Sequence, residues 1–136
     1  MGRHEQREQV FKLLFRVEFN QPEEMAEQVR LFTEDNEEVP FQKDVDYIQE
    51  RFALVQDKLP EIDKLLNEHA DGWNTERMGK VELAVLRLAI YEIMFDAQIP
   101  DSVAINEAVE IAKTYGQAAS GGFVNAILAK IAKLDK

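Results

Sequence analysis

Few of the residue types that carry covalent or metal chemistry are present in this 136-residue chain. It contains no cysteine, which removes disulfides, thiolate zinc sites and a cysteine nucleophile. His4 and His69 are the only histidines and stand far apart. A metal site on paired histidines and a Ser/His/Asp triad therefore both lack support. Gly116-Gln-Ala-Ala-Ser-Gly121 has the glycine spacing of a phosphate loop. However, Gly122-Phe123 follow where lysine and Ser/Thr belong, and no strand leads in, so the segment reads as a helix–helix turn. Carboxylates are abundant, yet no pair is marked off from solvated acidic helix faces. The expectation is a protein that is not an enzyme, with no catalytic residue, cofactor or metal ligand.

Binding chemistry is better represented. Arg3, Arg7, Lys12 and Arg16 outnumber Glu5 and Glu8 at the amino-terminal end. They form a basic island in a chain whose 16 Lys+Arg against 26 Asp+Glu give a net charge of −10. That balance argues against broad affinity for nucleic acid, which rests on neutralising phosphates, but it allows a local basic patch or a basic protein partner. On a continuous helix Arg3 and Arg7 stand above Val10 and Leu14, while Lys12 and Arg16 point to nearly the opposite side. One reading is an arm that offers arginines to phosphates, with Phe11 or Phe15 stacking on an unpaired base. The other is a solvated helix start whose phenylalanines are core. Acidic residues concentrate between 21 and 40, where Glu23, Glu24, Glu27, Glu34, Asp35, Glu37 and Glu38 face a single Arg30.

The elements that must position these residues are helices. Val10, Leu13, Leu14 and Val17 fall at i, i+3, i+4 and i+7, one helix face. Asn20 to Glu24 reads as a stop and a restart through Pro22. Pro40 precedes a run with Val45, Ile48, Phe52 and Val55, and Pro60 opens another with Ile62, Leu65 and Leu66. Asp71 to Thr75 is a break rich in capping residues. Val81 to Phe95 is the most apolar helix and the expected centre, but Glu82, Arg87 and Glu92 make it too charged, and its length too short, to span a bilayer. No apolar signal region follows the N-terminus, so the chain reads as cytoplasmic. In the helix from Ser102 to Tyr115, Ala104, Ala108 and Ala112 recur at i, i+4 and i+8, small enough for another helix to approach closely. Its outward Asn106, Glu107 and Glu110 are either a partner surface or an ordinary wet face. Gly116 stops it where a left-handed cap residue would sit, and Gly121-Gly122 precede a final helix with Phe123, Val124, Ile127, Leu128 and Ile131. Nothing alternates at period two. The expectation is an all-α, compact bundle of about six or seven helices in one domain over 1–136, with a possible subdivision near Pro40 or Trp73.

Three segments carry a family resemblance. Val81-Glu-Leu-Ala-Val-Leu-Arg-Leu-Ala-Ile-Tyr-Glu-Ile93 resembles the central helix of the NusB family of bacterial transcription antitermination factors. Ile99-Pro-Asp-Ser-Val-Ala-Ile-Asn-Glu-Ala-Val-Glu-Ile-Ala-Lys-Thr-Tyr-Gly116 resembles the helix that follows it. Phe123-Val-Asn-Ala-Ile-Leu128 occupies the family's Phe-Val-Asn-Gly-like segment. The helix from Arg7 to Glu18 matches more loosely, and residues 21–70 hardly at all.

The resemblance implies an all-helical fold of two three-helix-bundle-like halves. It implies pairing with NusE, a basic small-subunit ribosomal protein, and binding of boxA-like single-stranded RNA from ribosomal RNA leaders. It further implies membership of the RNA polymerase antitermination complex, which reads through terminators. The family's arginine-rich start corresponds to Arg3, His4 and Arg7, with Glu5 where a further basic residue often stands. Phe15 takes the place of an aromatic, often tyrosine, and keeps the stacking face without the hydroxyl. Glu82 and Phe123 match positions on the family's RNA-facing side, whereas the acidic residue often found before Phe-Val-Asn is absent from Gln117 to Gly122. Lys12 and Arg16 complete the expected RNA contacts, and Arg7→Glu is expected to weaken RNA binding with helicity intact. The competing expectation is an acidic protein-interaction module with no RNA contact of its own. A homodimer that covers the arm is a further possibility. Some RNA cytosine methyltransferases carry a similar domain, but no catalytic part follows Lys136 here, which argues against that activity.

Overall fold

The computed structural model describes residues 1–34, 36–134 and 136. Asp35, one of the acidic residues named above, lies outside them. Seven α-helices and two short 3-10 turns make up the regular structure, with no strand among the described residues. The chain divides into two compact units, Met1–Asp57 and Lys58–Lys136. The division falls at neither Pro40 nor Trp73. It lies where Lys58 alone separates two helices. Pro60, in the first turn of the second, has no N–H with which to continue the helix before it.

The first unit holds α1 (Arg3–Arg16), α2 (Met25–Thr33) and α3 (Gln42–Asp57). Between α1 and α2 lie the 3-10 turns Val17–Phe19 and Pro22–Glu24. The second turn is closed by a capping box between Gln21 and Glu24, so the restart through Pro22 is as the sequence predicts. α1 packs on α3 and α2, and Val10, Leu13, Leu14, Met25, Ile48, Phe52 and Val55 are buried. Two polar ties fix this packing. Gln6 Nε2 donates to the buried carboxylate of Asp44 at 3.0 Å. Gln49 Nε2 donates to Thr33 Oγ1 at 3.0 Å, and that hydroxyl donates onward to the Val29 carbonyl.

The second unit holds α4 (Leu59–His69), α5 (Lys80–Phe95), α6 (Asp101–Tyr115) and α7 (Ser120–Ala132). It thus has four helices rather than three. Every residue of α5 from Leu83 to Ile93 is buried, and α4, α6 and α7 all pack against it. Ala104, Ala108 and Ala112 are buried on α6, as the small-residue spacing predicts, while Tyr115 at the end of the same arc is exposed. Arg87 sits inside this unit, 5% exposed. Its Nε and Nη2 donate to both carboxylate oxygens of Asp63 on α4, at 2.9 and 2.8 Å.

Two turn details differ from expectation. Gly116 is extended (φ −100°, ψ −156°) rather than left-handed. A glycine is needed there for space, because a Cβ would lie 2.7 Å from the Ala112 carbonyl oxygen and 2.8 Å from Ser120 Cβ. The last helix begins at Ser120, so Gly121 and Gly122 belong to its first turn. Among the described residues no helix is long and apolar enough to cross a membrane.

Candidate nucleic-acid interface

The cations of α1 are mostly occupied within their own unit. The helix begins at Arg3, which is exposed, so the arm is helical from its first arginine. His4 Nε2 lies 3.1 Å from Glu8 Oε1, one turn on. Arg7 is drawn inward and is only 6% exposed, in keeping with its azimuth above Val10 and Leu14 but not with an arm held out to phosphates. Lys12 Nζ donates to Glu38 Oε2 at 3.2 Å, and Gln9 donates to the same oxygen. The Lys12 hydrogen bond and charge hold the Glu38 carboxyl below its ordinary range. Arg16 donates to Gln28 Oε1 at 3.1 Å and lies over the Phe32 ring. Phe15 is half-buried between the Phe11 and Phe19 rings, with centroids at 6.5 and 5.1 Å. Phe19, not singled out from sequence, is 61% exposed and lies at the open end of this i, i+4, i+8 row.

Glu82 and Phe123 come together in the second unit. They line one recess of about 180 Å³ with Trp73, Met78, Gln117 and Ser120. The loop before α5 shapes one wall. Asp71 (φ 33°) and Gly72 (φ 80°) turn the chain through the left-handed region. Trp73 N–H then donates to the Ala70 carbonyl at 3.1 Å, and Asn74 Oδ1 accepts from the N–H groups of Glu76 and Arg77. Lys130 on α7 pairs with Asp71 and lowers its carboxyl pKa, chiefly through that hydrogen bond. The loop so fixed leaves Trp73 45% exposed. The Trp73 and Phe123 rings meet edge to face, with centroids 5.6 Å apart at 81°. The Arg77 guanidinium lies 5.7 Å from the Trp73 ring centroid.

Glu82 stands in the first turn of α5, where the helix dipole favours a carboxylate. Its Oε1 accepts from the Ser120 hydroxyl at 2.5 Å, and Ser120 Oγ in turn accepts the Gln117 N–H at 2.9 Å. Ser120 is buried, and Gly116 leaves the room its side chain fills. The segment from Gly116 to Gly121 joins α6 to α7 as the helix–helix turn expected from its sequence, and its serine is engaged by Glu82 and the Gln117 N–H. Trp73, Arg77 and Ser120 are the residues that sequence reasoning missed here. The signal was a lone tryptophan between two helices and the Gly116-x-x-x-Ser120 spacing.

Of the suggested partner surface, Asn106 and Glu110 are exposed and Glu107 is half-buried. Glu107 and Glu110 share a face of α6 with exposed Val103. Among the described residues no group of His, Cys, Asp and Glu is placed to hold a metal ion.

One unit carries a helix that starts with cations, and the other carries aromatic rings edging a recess with Glu82 on its wall. Cations and exposed aromatic rings are the side-chain types that meet phosphates and unpaired bases. The NusB family model matches residues 4–133, nearly the whole chain. A transcription antitermination protein NusB of Agathobacter rectalis is 49% identical over 134 residues, covering 97% of this chain and 100% of its own. The NusB structure from T. maritima superposes with a TM-score of 0.85 at 38% identity, covering 98% of this chain and 92% of that one. The chain belongs to the NusB family. A chain in the crystal structure of antitermination factors NusB and NusE in complex with double-stranded RNA has the same fold, with a TM-score of 0.80, 24% identity and 96% of each chain covered.

Proposed function

We propose that this chain is a transcription antitermination factor. It binds boxA-type RNA of ribosomal RNA leaders together with NusE, and the pair promotes read-through by RNA polymerase in the cytoplasm. Its action is binding, with no chemical step. Residues 1–136 serve as one NusB-like RNA-binding domain. The observation that carries the reading is end-to-end kinship with transcription antitermination proteins, at 49% identity to one that it covers completely. The meeting of Glu82 and Phe123 in one recess supports it from the side of the geometry.

In this reading Arg3 and His4 contact phosphates at the start of α1, and Phe15 and Phe123 stack on bases. Lys12, Arg16 and Arg7 join when RNA competes with their present partners. Asn106, Glu107 and Glu110 face the basic partner. One observation favours the alternative, an acidic interaction module without RNA contact: Lys12 and Arg16 are already engaged and Arg7 is buried.

The test is a fluorescence-anisotropy titration of a boxA-like RNA and a scrambled control with this protein, with NusE and with both, at two salt concentrations. The proposal expects the pair to bind boxA more tightly than either component, with a salt slope of several phosphate contacts. If this chain changes neither affinity nor specificity, the acidic-module reading replaces it. Light scattering at two concentrations decides between monomer and homodimer.

A further inference from the structure

We propose that the segment from Asn36 to Val39 is a built-in inhibitor of α1, seating the Glu38 carboxylate in a place that Gln9 and Lys12 otherwise offer to an RNA phosphate. The inference rests on the RNA-binding reading above and adds to it an internal competitor, Glu38, and a further donor, Gln9.

On α1, Gln9 and Lys12 stand three residues apart on one face, so their polar ends reach the same spot. Both donate to one oxygen, Glu38 Oε2, at 3.4 and 3.2 Å. Gln9 is 5% exposed and Lys12 is half-buried. An amide and an ammonium that converge on one anionic oxygen are the donor set of a phosphate site, and Glu38 fills it. The fit is incomplete. Gln9 Oε1 is buried with no hydrogen-bond partner among the described residues, and a carboxylate, which only accepts, cannot supply one.

Glu38 is not a surface side chain that meets a lysine by chance, because the backbone on either side of it is pinned. Asn36 Nδ2 donates to the Phe32 carbonyl in the last turn of α2, and Asn36 Oδ1 accepts the Glu38 N–H, both at 2.9 Å. The Val39 N–H donates to the Asn36 carbonyl at 3.0 Å, and the Val39 side chain is buried. These ties hold the Glu38 backbone beside α1. Its side chain is 65% exposed, so the carboxylate can swing into water and yield its place without unfolding the segment. The exchange leaves a mark on salt dependence. A phosphate that displaces Glu38 gives up its counterion while Glu38 takes one, so this contact adds no net release.

The experiment titrates fluorescein-labelled boxA-like RNA with the protein in the presence of NusE, across a series of salt concentrations, and follows anisotropy. Glu38→Ala should bind about threefold more tightly than the wild type, the usual strength of an exposed ion pair. Its log–log salt slope should steepen by about 0.7, one further phosphate on a single strand. Glu37 is exposed and carries the same charge one residue away, so Glu37→Ala is the control for charge alone and should give a smaller gain with no change of slope. Introduced into Lys12→Gln, Glu38→Ala should bring no gain. Introduced into Gln9→Met, it should bring part of it, with circular dichroism confirming that helicity is kept. A Glu38→Ala protein with wild-type affinity and slope overturns the proposal. Equal gains from Glu37→Ala and Glu38→Ala reduce the effect to overall charge and overturn it as well. A gain that survives in Lys12→Gln places the action of Glu38 elsewhere and has the same result. If no variant, the wild type included, alters the binding of boxA by NusE, the RNA-binding reading itself falls.

Discussion

Removing Asp63, the bidentate partner of the buried Arg87, should cost far more than a surface ion pair would. Arg87 keeps 7% of its side chain exposed and Asp63 26%, and two hydrogen bonds of 2.9 and 2.8 Å join them in bidentate fashion. Asp63→Ala leaves a guanidinium inside the second unit with neither bond. Breaking a fully buried pair typically costs about 3–5 kcal/mol. Asp63 is partly wet, and water admitted at the mutated side recovers some solvation, which places the expected loss at about 3 kcal/mol. With a urea slope of about 2 kcal/mol/M, the unfolding midpoint should fall by about 1.5 M. Trp73 lies in the same unit and supplies the fluorescence signal. Replacing both residues with apolar ones of similar volume should restore most of the loss, since the buried charge is then gone as well. A midpoint shift for Asp63→Ala below about 0.4 M, or a double variant no better than the single one, would refute the reasoning. The first result would mean that Arg87 is solvated or re-paired at no cost.

Three other outcomes follow from positions already described. Arg3→Glu should weaken RNA binding and flatten its salt dependence with no change in melting temperature, whereas Arg7→Glu should lower the melting temperature because it replaces a buried cation; calorimetry beside anisotropy separates the two. Gly116→Ala should cost about 1–3 kcal/mol, read as a lower urea midpoint, because its Cβ meets the Ala112 carbonyl backbone at 2.7 Å. Asp44 is held below its ordinary 3.8, first by the Gln6 hydrogen bond, against the opposing effect of burial. Its folded pKa is depressed, so its stabilisation is present above about pH 4 and is lost as pH falls through the folded value. Asp44→Asn should flatten the acid limb of the stability profile, and an unchanged limb would count against the assignment.

The parts of this molecule that repeat at helical spacing are the parts the sequence displays. The unbroken apolar run of α5 and the alanine stripe of α6 follow from composition, and both helices are where their residues put them. The recess is different in kind. Glu82 and Ser120 are 38 positions apart, and their hydrogen bond exists only because α5 and α7 pack together. A serine at a helix start reads as an ordinary cap, and a tryptophan after Asp-Gly reads as a turn residue. Neither periodicity nor propensity marks them, so Glu82 and Phe123 became visible through family resemblance while Trp73 and Ser120 did not. Arg7 and Arg87 show the opposite limit. Charge predicts exposure, and both are buried once a helix face carries them inward.

The apolar girth of α5 has a consequence for synthesis on the ribosome. The helix is buried on every side from Leu83 to Ile93, yet two of the helices that cover it, α6 and α7, come later in the chain. At about 5–20 residues per second, translation from Phe95 to Ala132 takes about 2–7 s. During that interval a nascent chain exposes an eleven-residue stretch that only α4 has begun to shelter. A ribosome-bound chaperone footprint should therefore rise as α5 leaves the ribosome, and should fade once α7 has emerged.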